Sequence, residues 1–587
     1  MKIIGISGLE NSVPFKRATW PGLEEREYRI AQGMDAAAAL VIDGQLVAAA
    51  EQERFNRKKH SGEFPIDAVR FCLAEAGMSL EEVDELAHGF DYEPYRTVYS
   101  QDKVSAALFR EVFSKEALLA QVRRDLPGFP EQKVHCVRHH LAHAASAAFT
   151  SGWDECLVIV NDAMGEVECL SVHDFHDGKL DGIYSLSAND SIGILYSLVT
   201  LQLGFDFNSD EYKIMGLAPY GDPSHFRPFF EQAVELCPNG TIRIPILRLN
   251  RTREEREGYL ATRAWLDQHL IPRRRPDEES VSSIHEDVAA ALQECLEHVI
   301  MHICGHFGMK TGLRRLALAG GVALNCTANG KLMHSGLFDE VYVQPVAGDD
   351  GSALGAALYR NSLAQKIPIS RFPAPLFGPQ FCSSDVEKAL HRFDGKIQLK
   401  HFDTVEETCA RAARLIADGR VIAWSRGRME FGPRALGNRS ILADPGRAEM
   451  RDRINAMVKK REAFRPFAPA CTVEEVHRWF EVAPGTEMPY MISIVSVRPE
   501  VRTQLPAITH VNGSARLQTV SERDNPDFHA LLRAVGEVTG KQVVLNTSFN
   551  VKGQPIVNTP EEAIETFLGT GIEELFLENF HVSRCVP

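Results

Sequence analysis

Short apolar runs closed by glycine or acidic turns alternate along this chain with amphipathic stretches, and the alternation predicts a mixed α/β protein. Residues 2–8 read as a strand ending in glycine. Residues 38–50 read as a hairpin turning at Asp43-Gly44, and a helix follows over 66–76 with Gly77 as its stop. A similar order returns about 150 residues later. Residues 156–166 form an apolar strand closed by an acidic, glycine-containing turn, and residues 169–186 a hairpin turning at Asp177-Gly178. This repetition suggests two related lobes that clasp a nucleotide, as in the actin/sugar-kinase class. Helical patterns dominate from there to about residue 310, the clearest being 285–304. Two strand-turn-helix units follow, over 313–332 and 340–358.

The segment 367–380 is rich in proline and is the best linker in the chain. Beyond it a helix over 405–418 and strands over 420–427, 490–497 and 542–549 predict a second α/β domain. The expected boundaries are 1–366 and 374–587. A charged surface helix is expected near 446–461.

At 587 residues the chain is too long for one simple domain, and 44% hydrophobic with 24% charged residues is ordinary globular composition. A net charge of −15 argues against nonspecific nucleic-acid binding. The 12 cysteines are scattered and include no C-x-x-C pair, which reads as reduced thiols. No apolar run is long enough to span a membrane, and the N-terminal apolar stretch is too short for a signal peptide. A soluble, cytoplasmic protein is expected; a homo-oligomer is left open.

Four constellations carry chemistry. If His139-His140-Leu141-Ala142-His143 is helical, His139 and His143 lie one turn apart on one face. Histidines so spaced are commonly structural. Asp162, at the end of an apolar strand, and Asp349, just after another, raise the metal reading, and two imidazoles with two carboxylates suit Fe(II), Mn(II) or Zn(II). The zinc-protease pattern fails because His140 stands where its glutamate would be. Next, Gly320-Gly321-Val322-Ala323-Leu324-Asn325 and the segment from Gly348 through Asp350 to Gly355 pair glycine-rich turns with helix starts. Two such turns so close favour a nucleotide cleft. Third, residues 426–465 carry eleven Lys or Arg against five Asp or Glu. Arg434 and Arg439, set among Gly, Pro and Asn, suit a polyphosphate or planar acyl phosphate. Last, Asn546-Thr547-Ser548-Phe549-Asn550 closes a strand with short amide and hydroxyl groups that orient ligands or form turns.

Together these segments resemble the O-carbamoyltransferases of antibiotic and nodulation-factor biosynthesis, over nearly the whole chain. The resemblance also rests on Glu53-Arg-Phe-Asn-Arg-Lys-Lys-His60, Glu211-Tyr-Lys-Ile-Met-Gly216 with Leu217-Ala-Pro-Tyr-Gly221, Gly432-Pro-Arg-Ala-Leu-Gly-Asn-Arg-Ser440 and Phe464-Arg-Pro-Phe-Ala-Pro469. It implies an actin/sugar-kinase-like (ASKHA) N-terminal domain, similar to threonylcarbamoyl-transfer subunits, that passes a carbamoyl group to an acceptor hydroxyl. It implies a YrdC-like C-terminal domain that makes carbamoyl-adenylate from ATP, with Mg(II), and carbamoyl phosphate. Arg434, Lys459, Arg465, Arg516, Asn546 and Ser548 would then hold ATP and carbamoyl phosphate. His139, His143, Asp162 and Asp349 would hold iron(II), and Lys59 would sit near the transfer site. Gly320, Gly321, Asn325, Gly348 and Asp350 remain cofactor-binding candidates.

The chain departs from the family at one place. A His-Asp-Ala/Ser-Ser/Ala segment is replaced by Met34-Asp35-Ala36-Ala37, behind some twenty extra residues from Glu10 to Tyr28. A base lost with that histidine would be replaced from the insertion or by His60, or the acceptor differs. Rival readings are a small-molecule kinase, a tRNA-modifying protein and a non-catalytic nucleotide binder.

Overall fold

The computed structural model describes residues 1–585, which form two compact units: residues 1–52 with 60–372, and residues 53–59 with 373–585.

The first unit contains two five-stranded sheets of the same design. In one, the strands Lys2–Ile6, Ala37–Ile42, Gln45–Glu51, Glu85–His88 and Val134–Cys136 lie in the order 3-2-1-4-5. The first three are antiparallel and the last two run parallel to the first. In the other, Glu155–Asn161, Glu168–His176, Lys179–Ser187, Arg315–Ala319 and Glu340–Val343 repeat that order and those directions. The repetition visible in the sequence is therefore a duplicated lobe, and the first unit is actin/sugar-kinase-like. Both hairpins turn where expected, with Asp43 and Asp177 at φ 51° and 49° ahead of their glycines.

Helix Asp349–Ala364 lies across the first sheet with almost no side-chain spacing. A Cβ on Gly5 would sit 1.8 Å from Ala353 O, and one on Gly355 would sit 1.7 Å from Ala142 O. The second contact brings helix His139–Ala148 against helix Asp349–Ala364, backbone to backbone.

The insertion forms helix Ser12–Thr19 and a short turn over Glu25–Glu27. It docks on residues 253–273. Buried Lys16 donates to Ile30 O and Glu257 O, and Glu27 pairs with Arg263 and Arg273. Burial, offset in part by Glu257, pulls the Lys16 amine down to about 8.

The second unit is α/β on one eight-stranded mixed sheet. Its order is Ile397–His401, Phe580–Arg584, Glu574–Leu577, Ile422–Ser425, Arg439–Ala443, Val543–Ser548, Ala468–Thr472, Gln518–Val520. Helices Val405–Ala417 and Pro526–Thr539 cover one face, where Leu415, Ile416, Trp424, Phe528 and Leu532 share a core. Residues 53–59 precede the first unit's main body in sequence, yet they pack here. Arg54 donates to Gly432 O at 2.9 Å, and Arg57 donates to Ile556 O at 2.8 Å while pairing with Glu562 at 3.1 Å.

The surface helix expected over 446–461 is corrected. A helix covers only Met450–Ile454, a wider π-type turn follows over Asn455–Lys459, and Lys460 is left-handed at φ 41°. The wider turn takes Lys459 out of the exposed stripe and buries it. The strand expected over 490–497 shrinks to Ile494–Ser496, paired with Ser514–Arg516. Among the described residues no helix is long and apolar enough to cross a membrane.

Candidate active site

In the first unit, His139 opens helix His139–Ala148, so His139 and His143 do fall one turn apart on one face. Asp162 follows the central strand of the second sheet, and Asp349 opens helix Asp349–Ala364. One ligand-type atom from each of these four residues lies within 4.8 Å of all the others. The two imidazole Nε2 atoms are 3.0 Å apart, and Asp349 Oδ1 lies 3.3 Å and 3.8 Å from them. Asp162 Oδ2 is 3.6 Å from His139 Nε2.

Outer contacts aim this cluster. His139 Nδ1 donates to Gly89 O at 2.9 Å, which directs Nε2 into the cluster. Phe90 stacks on the same ring at 4.1 Å, and Glu166 accepts from the His139 backbone N–H at 2.8 Å. Asp162 Oδ1 accepts from Gly321 N at 2.9 Å, which turns Oδ2 toward the imidazoles. His143 Nδ1 is buried with no hydrogen-bond partner among the described residues, so the protein does not fix its tautomer. His140 turns away to Ser171 Oγ, 3.1 Å distant.

The electrostatics favour one positive charge at this point. Burial opposes protonation of His139, but Asp349 and then Asp162 outweigh it and hold that imidazole well above its usual range. Burial and then the charge on His139 push His143 down. Burial would raise Asp162, but the hydrogen bond from His139 and the neighbouring imidazole charges hold it low. Two carboxylates and two imidazole nitrogens facing one point fit a divalent cation. Asp349, with its side chain 24% exposed, marks the open side of the cluster.

The backbone contact at Gly355 fixes the separation of the two helices that carry His139, His143 and Asp349. Gly355→Ala is expected to destabilise the protein by roughly 1–3 kcal/mol through overpacking, despite alanine's better helix propensity. It should also lower metal retained after gel filtration. Elemental analysis and a thermal melt check this; full metal content at an unchanged melting temperature would refute it.

The glycine-turn candidates have defined places. Gly320 is left-handed at φ 90°, and a Cβ there would meet Asn161 O at 2.4 Å. Gly321 serves Asp162 directly. The Asn325 side chain caps helix Cys326–His334 through Ala328 N and exchanges hydrogen bonds with Gln293, so both its polar atoms are engaged within the protein. Gly348 precedes helix Asp349–Ala364. Asp350 accepts from Gly351 N, and burial, then Glu51 and Asp35, push its carboxyl well up.

In the second unit, Lys459 is buried and its Nζ donates to Ser548 O, Ser548 Oγ, Asn550 O and Asn550 Oδ1 at 2.5–3.2 Å. Burial, then Arg461, Arg465 and Lys59, push its amine well below the usual lysine range. The charges of these three cations thus reach Lys459. Asn546 donates to Ala435 O and Gln518 Oε1, and Gln518 donates to Leu436 O, which ties the strand end to the Arg434 loop. Asn546 Oδ1 is buried without a partner among the described residues. Arg465 lies 3.6 Å from Glu462, and partly buried Arg516 ends the strand Ser514–Arg516.

Arg439 is a correction. It begins a strand, is fully buried, and donates to the carbonyls of Gly427, Asn438 and Pro379 at 2.9–3.2 Å. It builds the loop and does not face a ligand. Sequence reasoning missed Glu430, whose Oε1 accepts from the backbone N–H groups of Leu436, Asn438 and Arg439 at 2.7, 2.9 and 3.2 Å. The acidic residue beside the glycine-proline motif was the only available signal. Glu430→Ala leaves three N–H donors without their acceptor and Arg439 without its main counter-charge, a cost of roughly 3–5 kcal/mol. Urea denaturation should show that loss, and a change under 1 kcal/mol would refute it.

Residues 30–358 match the family model for the carbamoyltransferase N-terminus, and residues 413–584 match that for the carbamoyltransferase C-terminus. The chain belongs to the carbamoyltransferase family. Within it the chain is similar to nodulation protein NolNO of Sinorhizobium fredii, 40% identical over 94% of this chain and 79% of that protein. It is similar to the 3'-hydroxymethylcephem-O-carbamoyltransferase of Streptomyces clavuligerus, 32% identical over 61% of each chain. The enzyme of that name from Amycolatopsis lactamdurans is 36% identical over 46% of this chain and 49% of its own.

Proposed function

We propose that this enzyme carries a carbamoyl group from carbamoyl phosphate to a hydroxyl of a specialised metabolite, through carbamoyl-adenylate. The observation that carries this reading is buried Lys459, bonded to Ser548 and Asn550 at the strand end and within reach of the charges of Arg461, Arg465 and Lys59. Such a concentration of cations is matched to a polyphosphate or acyl phosphate. The second unit is read as the YrdC-like part, where Arg434, Lys459, Arg465, Arg516, Asn546 and Ser548 bind ATP, as its Mg(II) complex, and carbamoyl phosphate; Lys59, whose charge reaches Lys459, is read as standing near the transfer site.

Atom balance sets the first half-reaction. Water cleaves carbamoyl phosphate to carbamate and inorganic phosphate. A carbamate oxygen attacks the α-phosphorus of ATP, and pyrophosphate leaves with the broken P–O pair. Adenylation gives a carbon weakened as an electrophile by its nitrogen a good leaving group, and the cations offset the growing phosphate charge. In the second half-reaction, an acceptor oxygen bonds to the carbamoyl carbon, AMP leaves, and a carbamate ester results. His139, His143, Asp162 and Asp349 of the first unit would hold Fe(II) or another divalent metal, which supplies a Lewis acid when bound. Relatives named for transfer to a hydroxymethyl group support a hydroxylated small-molecule acceptor. The reading places the enzyme in the cytoplasm with no nucleic-acid or membrane partner; among the described residues no cysteine is in a disulfide.

The test uses purified enzyme with ATP and carbamoyl phosphate and no acceptor. Pyrophosphate release that requires carbamoyl phosphate is the expected result. Formation of ADP without pyrophosphate would overturn the reading in favour of a kinase.

A further inference from the structure

Besides the metal-type cluster and the Lys459 site, the first unit holds a third arrangement of reactive groups, and Asp350, which follows Asp349, feels the charge of its Asp35. His60 Nδ1 lies 2.8 Å from Asp35 Oδ1, and His60 Nε2 lies 3.2 Å from Ser209 Oγ. The three residues come from distant parts of the sequence. Asp35 precedes the strand Ala37–Ile42, His60 follows the segment 53–59, and Ser209 precedes helix Glu211–Leu217. A hydroxyl, an imidazole and a carboxylate in one hydrogen-bonded line is the arrangement that activates a hydroxyl oxygen, the carboxylate fixing tautomer and ring plane.

Backbone strain supports a role beyond packing. Asp35 and His60 are both left-handed, at φ 64° and 57°, and so is Asn208 beside Ser209, at φ 54°. Each such conformation costs energy in a residue other than glycine, and such residues gather at functional sites. The surroundings hold them there. Ala36 N donates to Ser61 O at 2.7 Å and Ser7 Oγ donates to Asp35 O at 3.2 Å, locking the Asp35 and His60 segments together. Asn208 N donates to Glu211 Oε1 at 2.7 Å, and Lys213 holds Asp210 at 2.8 Å, fixing the Ser209 turn. The pair is also accessible, with side chains 19% exposed for His60 and 38% for Asp35. A structural His-Asp pair would gain nothing from strained backbone at both partners.

We propose that His60 is the general base that takes the proton from the acceptor hydroxyl, with Asp35 as its positioning residue. This rests on the carbamoyl-adenylate reading above. Neutral His60 donates Nδ1–H to Asp35 and keeps its lone pair at Nε2, where the Ser209 hydroxyl now donates. An acceptor hydroxyl takes that donor position. Its oxygen forms a bond to the carbamoyl carbon while its proton passes to His60 Nε2. The C–O bond to AMP breaks, and AMP leaves with the electron pair. Imidazolium, stabilised by Asp35, then returns the proton to water. Met34, 7% exposed in the core, cannot serve here, and the insertion's buried amine is spent on Ile30 O and Glu257 O. His60 is therefore the group by which this chain activates its acceptor.

The experiment compares wild type with His60→Asn and Asp35→Asn, whose new residues tolerate the left-handed backbone. The full chain is given ATP, carbamoyl phosphate and either hydroxylamine or one of the alcohols trifluoroethanol, chloroethanol and ethanol at high concentration. Acceptor-free pyrophosphate release is the internal reference. Hydroxylamine is nucleophilic without a base; an alcohol is not. The expected result is alcohol carbamoylation reduced about 100-fold or more in His60→Asn. The deficit should widen from trifluoroethanol to ethanol as the alcohol becomes less acidic, while hydroxylamine trapping stays near wild type. Asp35→Asn should lose about tenfold or more. Equal alcohol transfer by wild type and His60→Asn would overturn the proposal, as would a carbamoyl adduct on Ser209, which would make that residue the nucleophile. Wild type that releases pyrophosphate but carbamoylates no alcohol would also overturn it. Absence of pyrophosphate release in wild type is a different failure and falls on the adenylate reading.

Discussion

Asp162→Ala and His139→Ala are expected to abolish carbamoyl transfer, by about 1,000-fold or more, and to leave the protein without bound divalent metal. On the metal reading, each substitution removes one of four ligands and leaves the remaining charges uncompensated in a buried site. The two substitutions differ in consequence. Asp162→Ala also frees Gly321 N, which now donates to Asp162 at 2.9 Å. His139→Ala opens a cavity under Phe90, which stacks on that ring. The control is His140→Ala, adjacent in sequence but bonded to Ser171 Oγ. It should retain metal and most transfer activity. Metal content by elemental analysis, carbamoyl transfer and pyrophosphate release should be measured together. The variants should keep acceptor-free pyrophosphate release, because the residues read as carrying it are in the other unit. Full metal occupancy in Asp162→Ala would refute the ligand assignment, and loss of pyrophosphate release with transfer would refute the division of labour.

The sequence disclosed most where local chemistry decides the outcome. Asp43-Gly44 and Asp177-Gly178 dictate tight hairpins whatever surrounds them, so the two lobes and their repetition could be read in advance. The His139–His143 spacing likewise becomes geometry once a helix forms. Tertiary partners were not legible. Lys459 looks like one more cation in a charged stripe, because the oxygens that bury it come from Ser548 and Asn550, some ninety residues away. Arg439 looks like Arg434, since both stand in a glycine-rich stretch. Only the folded loop sends one guanidinium inward to carbonyls and leaves the other partly exposed. Asn325 shares its motif with Gly321, which donates to Asp162, yet it is spent on a helix cap and on Gln293, a residue on another helix. The Asp35–His60–Ser209 line joins three unrelated segments. Its one sequence trace was the departure at Met34, which raised the question of a replacement base.

Lys459→Met is expected to cut carbamoyl-phosphate-dependent pyrophosphate release by about 100-fold or more, the scale of a lost preorganised charge in a water-poor site. The same residue makes a pH prediction. In the ligand-free protein, burial, then Arg461, Arg465 and Lys59, hold its amine well below the usual lysine value. At a pH above that lowered pKa and below the ordinary one, the unfolded chain carries a proton that the folded chain lacks. Its contribution to stability therefore rises with pH across this window and falls as pH drops through the folded value, where a buried charge must be held among three others. An anionic ligand reverses the balance. Phosphate oxygens beside the amine favour its charged form, so binding carbamoyl phosphate within the same window should take up a proton. Titration calorimetry in buffers of different ionisation enthalpy reads this directly. Wild type should show an apparent binding enthalpy that varies with the buffer, with proton uptake near one at a pH where free Lys459 is neutral. Lys459→Met should show no such variation. Arg465→Gln should show less uptake, because removing a neighbouring cation lets the free amine hold its proton. Buffer-independent binding by wild type throughout this window would place the anion elsewhere and leave the buried lysine a structural role, through its four bonds to Ser548 and Asn550.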